Sequence, residues 1–455
     1  MTVTDDRFAK MKPYNATFVR KIPARDLPPG PRWPALIQSI ALMRFRHQYI
    51  PWLHTRYGDV FTIRTVPKAA PLVLFTQPEH AKEIFAGDPE IFHAGKGNAI
   101  LGPIMGEHSL LLQDSTEHRR ARKLLMPAFN GAALRGYESV VTQLAKEEVA
   151  RWTPGVPFRS LERMNALTLE VILRVVFGVT DEKRLAQLRP LVNRTVDINP
   201  AILLGWGYPF LQRFGPWRKT VDNQRALDKV MYAEIAERRT AGDLHERTDV
   251  LSQLLAVGES EGADGMSDAE LRDQLVTLLL AGHETTATAL SWCLYELGRD
   301  SGQLDKAREA AKSGENDYLE AVMKEAMRLH PVIPMVVRHL MEPVSIGGWD
   351  LPKGANLGPS ILIAHGRDTN FEDPSAFRPA RFLDGHVATN TWIPFGGGVR
   401  RCIGAGFSLM EGVAVLREVL LEYDVTLPTG TTDVPKVRNI TSVPRHGARI
   451  VAHPH

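Results

Sequence analysis

Two segments of this 455-residue chain combine residue types and spacings that could do chemistry. The first is Phe395-Gly396-Gly397-Gly398-Val399-Arg400-Arg401-Cys402-Ile403-Gly404, a glycine run that ends on a cysteine. A helical pattern runs from Gly404 to Tyr423, so the Cys402 sulfur falls at a helix N-terminus. Unpaired N–H groups and the positive end of the helix dipole favour a thiolate there, which predicts a lowered pKa. Such a sulfur is a nucleophile or a metal ligand, the bland alternative being a buried structural cysteine. The three glycines allow tight folding and the close approach of a flat or bulky group, and Arg400 adds positive charge.

The second segment is Ala281-Gly282-His283-Glu284-Thr285-Thr286, near the middle of a helical pattern from Ser267 to Arg299. Ser267 and Glu270 have the spacing of a capping box, and a helix of this length spans roughly 50 Å. Gly282 and the polar pair interrupt an otherwise apolar helix, a local conflict that often marks function. Thr285 can donate to or accept from a bound oxygen species, and Glu284 can feed it protons. Alternatively, Thr285 bonds back to the preceding turn and Glu284 is solvated. A zinc-protease reading fails, because position 287 is Ala where a second histidine is needed.

Charge is patterned elsewhere. Glu325 and Arg328 share one helical face and, if exposed, would contribute under about 1 kcal/mol. His118 and Arg122 stand one turn apart and could jointly hold a carboxylate, while Arg119, Arg120 and Lys123 form a solvated face or a dock for an acidic partner. Arg338 lies in the apolar run Val336-Val337-Arg338-His339-Leu340 and should need an anion.

The elements that must position these groups are mostly helical. Helical periodicity covers 35–45, 117–129, 135–151, 160–177, 182–195, 219–240, 249–256, 267–299, 302–312 and 317–329. Phe61–Val66 and Leu72–Phe75 read as β-strands of a small early sheet, and short apolar runs after 331 place further strands near the other end. Residues 1–34 read as an extended, proline-punctuated arm. Without repeats or long polar linkers, 35–455 reads as a single large unit with a long central helix, mostly α with a minor β region.

The bulk numbers exclude several classes. A net charge of +3, from 55 basic and 52 acidic residues, argues against nucleic acid as a partner. Two cysteines, Cys293 and Cys402, are too few for a disulfide framework, a four-cysteine zinc site or a protein-ligated iron–sulfur cluster. They fit a reduced, cytoplasmic compartment. Met1-Thr2-Val3-Thr4-Asp5-Asp6-Arg7 has no secretory pattern, and the apolar run 275–281 is far short of the ~20 residues of a transmembrane segment.

Taken in order, these segments resemble the cytochrome P-450 superfamily over essentially the whole chain. The haem loop is matched by Phe395, Gly398, Arg400, Cys402 and Gly404, the oxygen-activating helix by Ala281, Gly282, Glu284 and Thr285, and the Glu-x-x-Arg motif by Glu325 and Arg328. A further motif is Pro379-Ala380-Arg381-Phe382, with Ala380 where acidic residues are frequent; His118 stands where many members have Trp.

The resemblance implies a haem b ligated through Cys402, with His118, Arg122, Arg338 and Arg400 on its propionates. It implies a buried structural network of Glu325, Arg328 and Arg381, and proton delivery by Thr285 and Glu284. The implied reaction inserts one oxygen atom of O2 into a steroid-, terpenoid- or fatty-acid-like molecule. Electrons would come from NAD(P)H through a ferredoxin and its reductase, docking near Arg119, Arg120, Lys123 and Arg401. Distal-pocket lining would come from 97–105, 206–217, 278–281 and 332–336. The rival readings are a haem-thiolate peroxygenase or isomerase, whose known members tend to lose the acid–alcohol pair, and a non-catalytic haem sensor or carrier.

Overall fold

The computed structural model describes residues 26–66, 70–196, 209–261, 265–383, 385 and 387–455. The expected arm therefore lies outside the described residues up to position 25, as do 206–208 of the aromatic stretch. Residues 28–30 are pinned to the first strand, Thr62 donating its N–H to Pro29 O at 2.8 Å and its hydroxyl to Pro28 O at 2.8 Å.

Counting helices of nine residues or more, the order is α1 (Ala35–Tyr57), α2 (Pro78–Ala86), α3 (Ser115–Leu125), α4 (Gly131–Val149), α5 (Ser160–Phe177), α6 (Glu182–Val196), α7 (Gly215–Arg239), α8 (Val250–Glu261), α9 (Asp268–Arg299), α10 (Ser301–Ser313), α11 (Asn316–Leu329) and α12 (Ala405–Glu422). The nine internal helices expected from periodicity all form. The expected end of α1 at Phe45 is a kink, with φ −129° and ψ 25°, after which the helix continues to Tyr57. Pro51, inside that continuation, disguised it in the sequence. Helix α2 was missed because it is short; it begins on Pro78, whose fixed φ suits the first helical position.

The two early strands, β1 (Val60–Thr65) and β2 (Ala70–Phe75), pair antiparallel as expected. Late chain completes their sheet: β2 pairs parallel with Asn356–Pro359, which carries the antiparallel strand Arg338–Leu340 and, beyond it, Phe92–His93. Among the described residues three smaller sheets draw mostly on late chain, one of them the hairpin Pro435–Arg438/Thr441–Pro444, although Arg449–Pro454 also pairs with Phe158–Arg159. The main core gathers α9, α5, α4, α11 and α12 around Leu275, Leu290, Val171, Val322 and Leu416, all fully buried. Helix α9 opens with the expected capping box: Ser267 Oγ accepts from Glu270 N, and the Glu270 carboxylate accepts from Ser267 N at 2.8 Å.

Candidate functional site

The Cys402 loop is clamped between α2 and the start of α12. Its ends are joined by the Cys402 N–H donating to Phe395 O at 2.9 Å, and Gly396 and Gly398 take left-handed φ of 65° and 63°. A Cβ on Gly397 would come within 2.4 Å of the Phe85 ring, and one on Gly398 within 2.0 Å of Phe85 O, so α2 tolerates no side chain at either position. Phe395 packs edge-on against Trp392 at 5.8 Å.

Cys402 is accessible at its surface although protein atoms surround it closely elsewhere, as expected of a group at the floor of a deep recess. Burial raises its thiol pKa above the ordinary value, against the Gly404 N–H, Arg122 and Arg401, which lower it. The helix end favours the thiolate, as expected from the sequence, but desolvation outweighs it, so the free thiol is not activated. A metal cation on the sulfur would deprotonate it outright.

Helix α9 is buried continuously from Leu271 to Leu297 except at Leu280, Ala281, Gly282 and Thr285, and Ala281 is exposed. This is the single opening along this stretch of the helix. Gly282 packs closely too: a Cβ there would lie 2.8 Å from the terminal Cδ1 of Ile172 on α5, which would have to move aside. Thr286 donates to Ser408 Oγ at 3.1 Å. Ser408 lies in the first turn of α12, six residues beyond Cys402, so this bond brings the Cys402 end of α12 and the Thr285 opening of α9 into one region.

The Thr285 hydroxyl donates to Ala281 O at 2.7 Å, the local bond weighed from the sequence. Glu284, by contrast, is buried rather than solvated. Its Oε1 lies 3.4 Å from Arg438 Nε and 3.4 Å from Thr441 Oγ1, both on the C-terminal hairpin. Sequence reasoning did not find these two partners, because nothing in the hairpin's spacing points to a helix some 150 residues away.

The four expected anion-binding cations converge. A recess is lined by Phe85, Asp114, Ser115, His118, Arg338 and Arg400. Burial, followed by the neighbouring Arg400, Arg122 and Arg338, pushes the His118 pKa down to about 3. Burial, then the neighbouring Arg400, lowers Arg338 to about 10, and burial together with Arg122 lowers Arg400 to about 10, with Asp114 opposing in both cases. Arg122 is also lowered, chiefly by burial, and its guanidinium makes no hydrogen bond or ion pair among the described residues.

Asp114 is the only acid found among them. It lies 3.7 Å from Arg400, but its oxygens are already engaged by the Gly95 and Lys96 N–H groups at 2.7 and 3.0 Å. Three guanidinium groups and the neutral His118 imidazole gathered around so little negative charge call for a polyanion. A soft thiol beside an under-neutralised cation cluster fits a metalloporphyrin with two carboxylates.

The Glu325 network is closed. Arg328 uses all five N–H donors: two on the Glu325 carboxylate at 2.7 and 2.8 Å, and three on His365, Pro374 and Ala376 carbonyls at 3.0, 2.8 and 3.0 Å. Arg381 Nε adds a bond to Glu325 Oε1 at 3.0 Å, and Arg378 N another at 2.9 Å. The basic strip is less free than expected, because Arg120 is held by Glu270 at 2.7 Å and by Gly265 O at 2.8 Å. Within the aromatic stretch, Phe210 and Phe214 are exposed.

One group escaped the sequence reading altogether. Glu411 of α12 is fully buried with neither carboxylate oxygen bonded among the described residues, and burial raises its pKa well above the usual carboxylate range. The folded protein therefore keeps a proton that the unfolded chain loses near pH ~4.3. Stability contributed by that proton is full below this pH and is lost as pH rises through the folded pKa. Glu411→Gln should match the native protein near pH 4 and gain stability relative to it at higher pH, as read by urea unfolding across the range. A flat difference would mean that the carboxyl is not held protonated.

The Cytochrome P450 family profile matches residues 28–450. The chain belongs to the cytochrome P450 family. It is 52% identical over 425 residues to a Mycobacterium tuberculosis protein designated cytochrome P450 135A1, covering 93% of this chain and 94% of that one. To cytochrome P450 135B1 of Mycobacterium bovis it is 38% identical over 430 residues, covering 93% and 91%. In fold it is similar to cyanobacterial CYP120A1, described as bound to retinoic acid, with a TM-score of 0.83, 22% identity and coverage of 94% and 99%. This cytochrome P450 is thus a haem-dependent oxidoreductase of the monooxygenase class, and among the described residues no helix is long and apolar enough to cross a membrane.

Proposed function

We propose that this cytochrome P450 hydroxylates an apolar small molecule of the steroid, terpenoid or fatty-acid kind, using electrons passed from NAD(P)H by a separate ferredoxin and ferredoxin reductase. The observation that carries this reading is the single unburied window of α9 at Ala281, Gly282 and Thr285, joined through Thr286 and Ser408 to the helix that begins beside Cys402. When bound, the haem supplies the iron that activates dioxygen.

Cys402 Sγ would hold its iron, and Arg122, Arg338 and Arg400 would neutralise its propionates, with His118 as a neutral hydrogen-bond donor. Ala281 and Gly282 would leave room for it beside α9. Because the Thr285 hydroxyl hydrogen is committed to Ala281 O, its lone pairs are left to accept a hydrogen bond from the window. Glu284 holds a proton-exchanging carboxylate between that window and Arg438, which is partly exposed to solvent. Val332 and Leu278, both buried and apolar, support an apolar pocket. Exposed Arg401, with Arg119, exposed but paired with Glu90 at 3.3 Å, would steer the electron donor. Cys293 and Cys402, neither in a disulfide, support a cytoplasmic setting, and residues 35–455 form the haem domain.

Turnover driven by NAD(P)H with a surrogate ferredoxin and reductase tests the reading, with substrates chosen by spectral titration against steroids, terpenoids and fatty acids. No spectral shift with any of the three classes would reject the substrate class, and product with peroxide but none with NAD(P)H, ferredoxin and reductase would reject the electron route. Thr285→Ala should cut product formed per NAD(P)H consumed by at least ~10-fold while releasing hydrogen peroxide. Unchanged coupling would leave Thr285 as a packing group bonded to Ala281.

A further inference from the structure

Helix α1 is built inside out. In its first half Gln38 and Ser39 are buried, while Leu36, Ile37 and Ile40 are exposed, at 58%, 50% and 52%. The inversion is specified rather than accidental, because Gln38 and Ser39 are both bonded. Gln38 donates to Pro31 O at 3.1 Å and Trp33 O at 2.7 Å, and its Oε1 accepts from Arg64 N at 2.9 Å. Ser39 Oγ accepts from Val66 N at 2.9 Å. These bonds fix the rotation of the helix against the edge strand β1, so its apolar stripe cannot turn inward.

The stripe continues onto exposed Trp33, stacked on Trp52 at 5.3 Å, and onto exposed Phe45 at the kink. Exposed Ile440 adjoins it, because Arg46 donates to Ile440 O at 2.9 Å and Asn439 O at 2.6 Å. A contiguous exposed apolar face of this kind marks an interaction site. Its charge names the partner. No Asp or Glu occurs from Leu27 to Gly58, whereas Arg32, Arg44 and Arg56 are exposed, and Arg44 follows Ile40 by one turn on the same face.

We infer that this face docks on a lipid bilayer surface bearing anionic headgroups. Apolar side chains on a helix lying along the surface, interfacial tryptophans and flanking arginines are the elements of peripheral membrane attachment. The helix sinks Leu36, Ile37 and Ile40 among the acyl chains while Arg32 and Arg44 meet headgroup phosphates. The hairpin Pro435–Arg438/Thr441–Pro444 lies directly behind this face, bonded to α1 through Arg46 and through His47 to Ser442 Oγ at 2.9 Å; its other side reaches Glu284. An apolar compound dissolved in the bilayer would therefore lie one hairpin from the α9 window.

The test uses the full haem-loaded chain in co-sedimentation with phosphatidylcholine vesicles, with and without phosphatidylglycerol. The native protein should sediment with the anionic vesicles and bind at least about tenfold more weakly to phosphatidylcholine alone or at high salt. Leu36→Asp/Ile40→Asp should lose at least about tenfold in binding to the anionic vesicles, and Arg32→Glu/Arg44→Glu should lose the preference for them. Val156→Asp, at an exposed apolar position away from α1, should bind as the native protein does. An unaltered carbon-monoxide difference spectrum establishes that each variant is folded. As a second readout, bromine-labelled lipid should quench tryptophan fluorescence, and Trp33→Phe/Trp52→Phe should reduce that quenching. The inference is overturned if the native protein fails to bind anionic vesicles, or if Leu36→Asp/Ile40→Asp binds as well as native. It is equally overturned if that variant only converts a dimer to a monomer while vesicles bind neither form, which would make the face a contact between two copies of the chain.

Discussion

Replacing Cys402 with histidine should shift the Soret maximum of the reduced carbon-monoxide complex and lower NAD(P)H-driven turnover by at least ~100-fold, about 2.7 kcal/mol of barrier. The reason is electronic rather than steric. A thiolate donates density through iron that favours O–O cleavage, whereas a neutral imidazole donates much less. The loop itself should survive, since the Cys402 N–H to Phe395 O bond and the glycine contacts with Phe85 do not involve the side chain. An unshifted Soret maximum would show that Cys402 is not the axial ligand, whatever happened to the rate. Because burial holds the free thiol protonated, haem binding by the apoprotein should release a proton, a second readout that the histidine variant lacks.

The second large effect belongs to Glu325, which touches nothing that reacts. Glu325→Ala would leave Arg328, wholly buried, and Arg381, mostly buried, facing each other without their shared carboxylate. Removing one partner of a buried ion pair costs about 3–5 kcal/mol, a large part of the roughly 5–15 kcal/mol that holds a protein folded. The variant should therefore unfold at much lower urea and retain little haem. Arg328→Lys should behave similarly despite keeping the charge. A lysine has three donors on one nitrogen and cannot reach the Glu325 carboxylate and three separate carbonyls together. A loss below about 1 kcal/mol in Glu325→Ala would make the pair surface decoration after all.

That pair shows where reading the chain alone stops. The i,i+3 spacing of Glu325 and Arg328 is local and visible, but its worth depends on burial, and burial is set by carbonyls 37 to 48 residues further on. The same division runs through Glu284: the acid beside Thr285 is a local signal, while its bond to Arg438 crosses from α9 to a hairpin near the C-terminus. Asp114 precedes a helix and so resembles a cap, yet its carboxylate turns instead to the backbone at Gly95 and Lys96. Glu411 sits in an apolar helix with no pattern to mark it, and only the packing of α12 against its neighbours leaves it without a partner.

What the sequence determined by itself was the helical periodicity, the capping box at Ser267, the glycine positions around Cys402 and the order of the motifs, all of which depend on residues within a few turns of one another. What only the tertiary structure decided were the pKa directions, the convergence of His118, Arg338 and Arg400 on one recess with Arg122 close by, and the outward face of α1. Desolvation depends on every atom packed around a group, so it reversed the helix-end expectation for the Cys402 thiol. The rotation of α1 was likewise fixed by the Arg64 and Val66 N–H groups, in and just after β1, donating to Gln38 and Ser39, where hydrophobicity alone would have turned Leu36 and Ile40 inward.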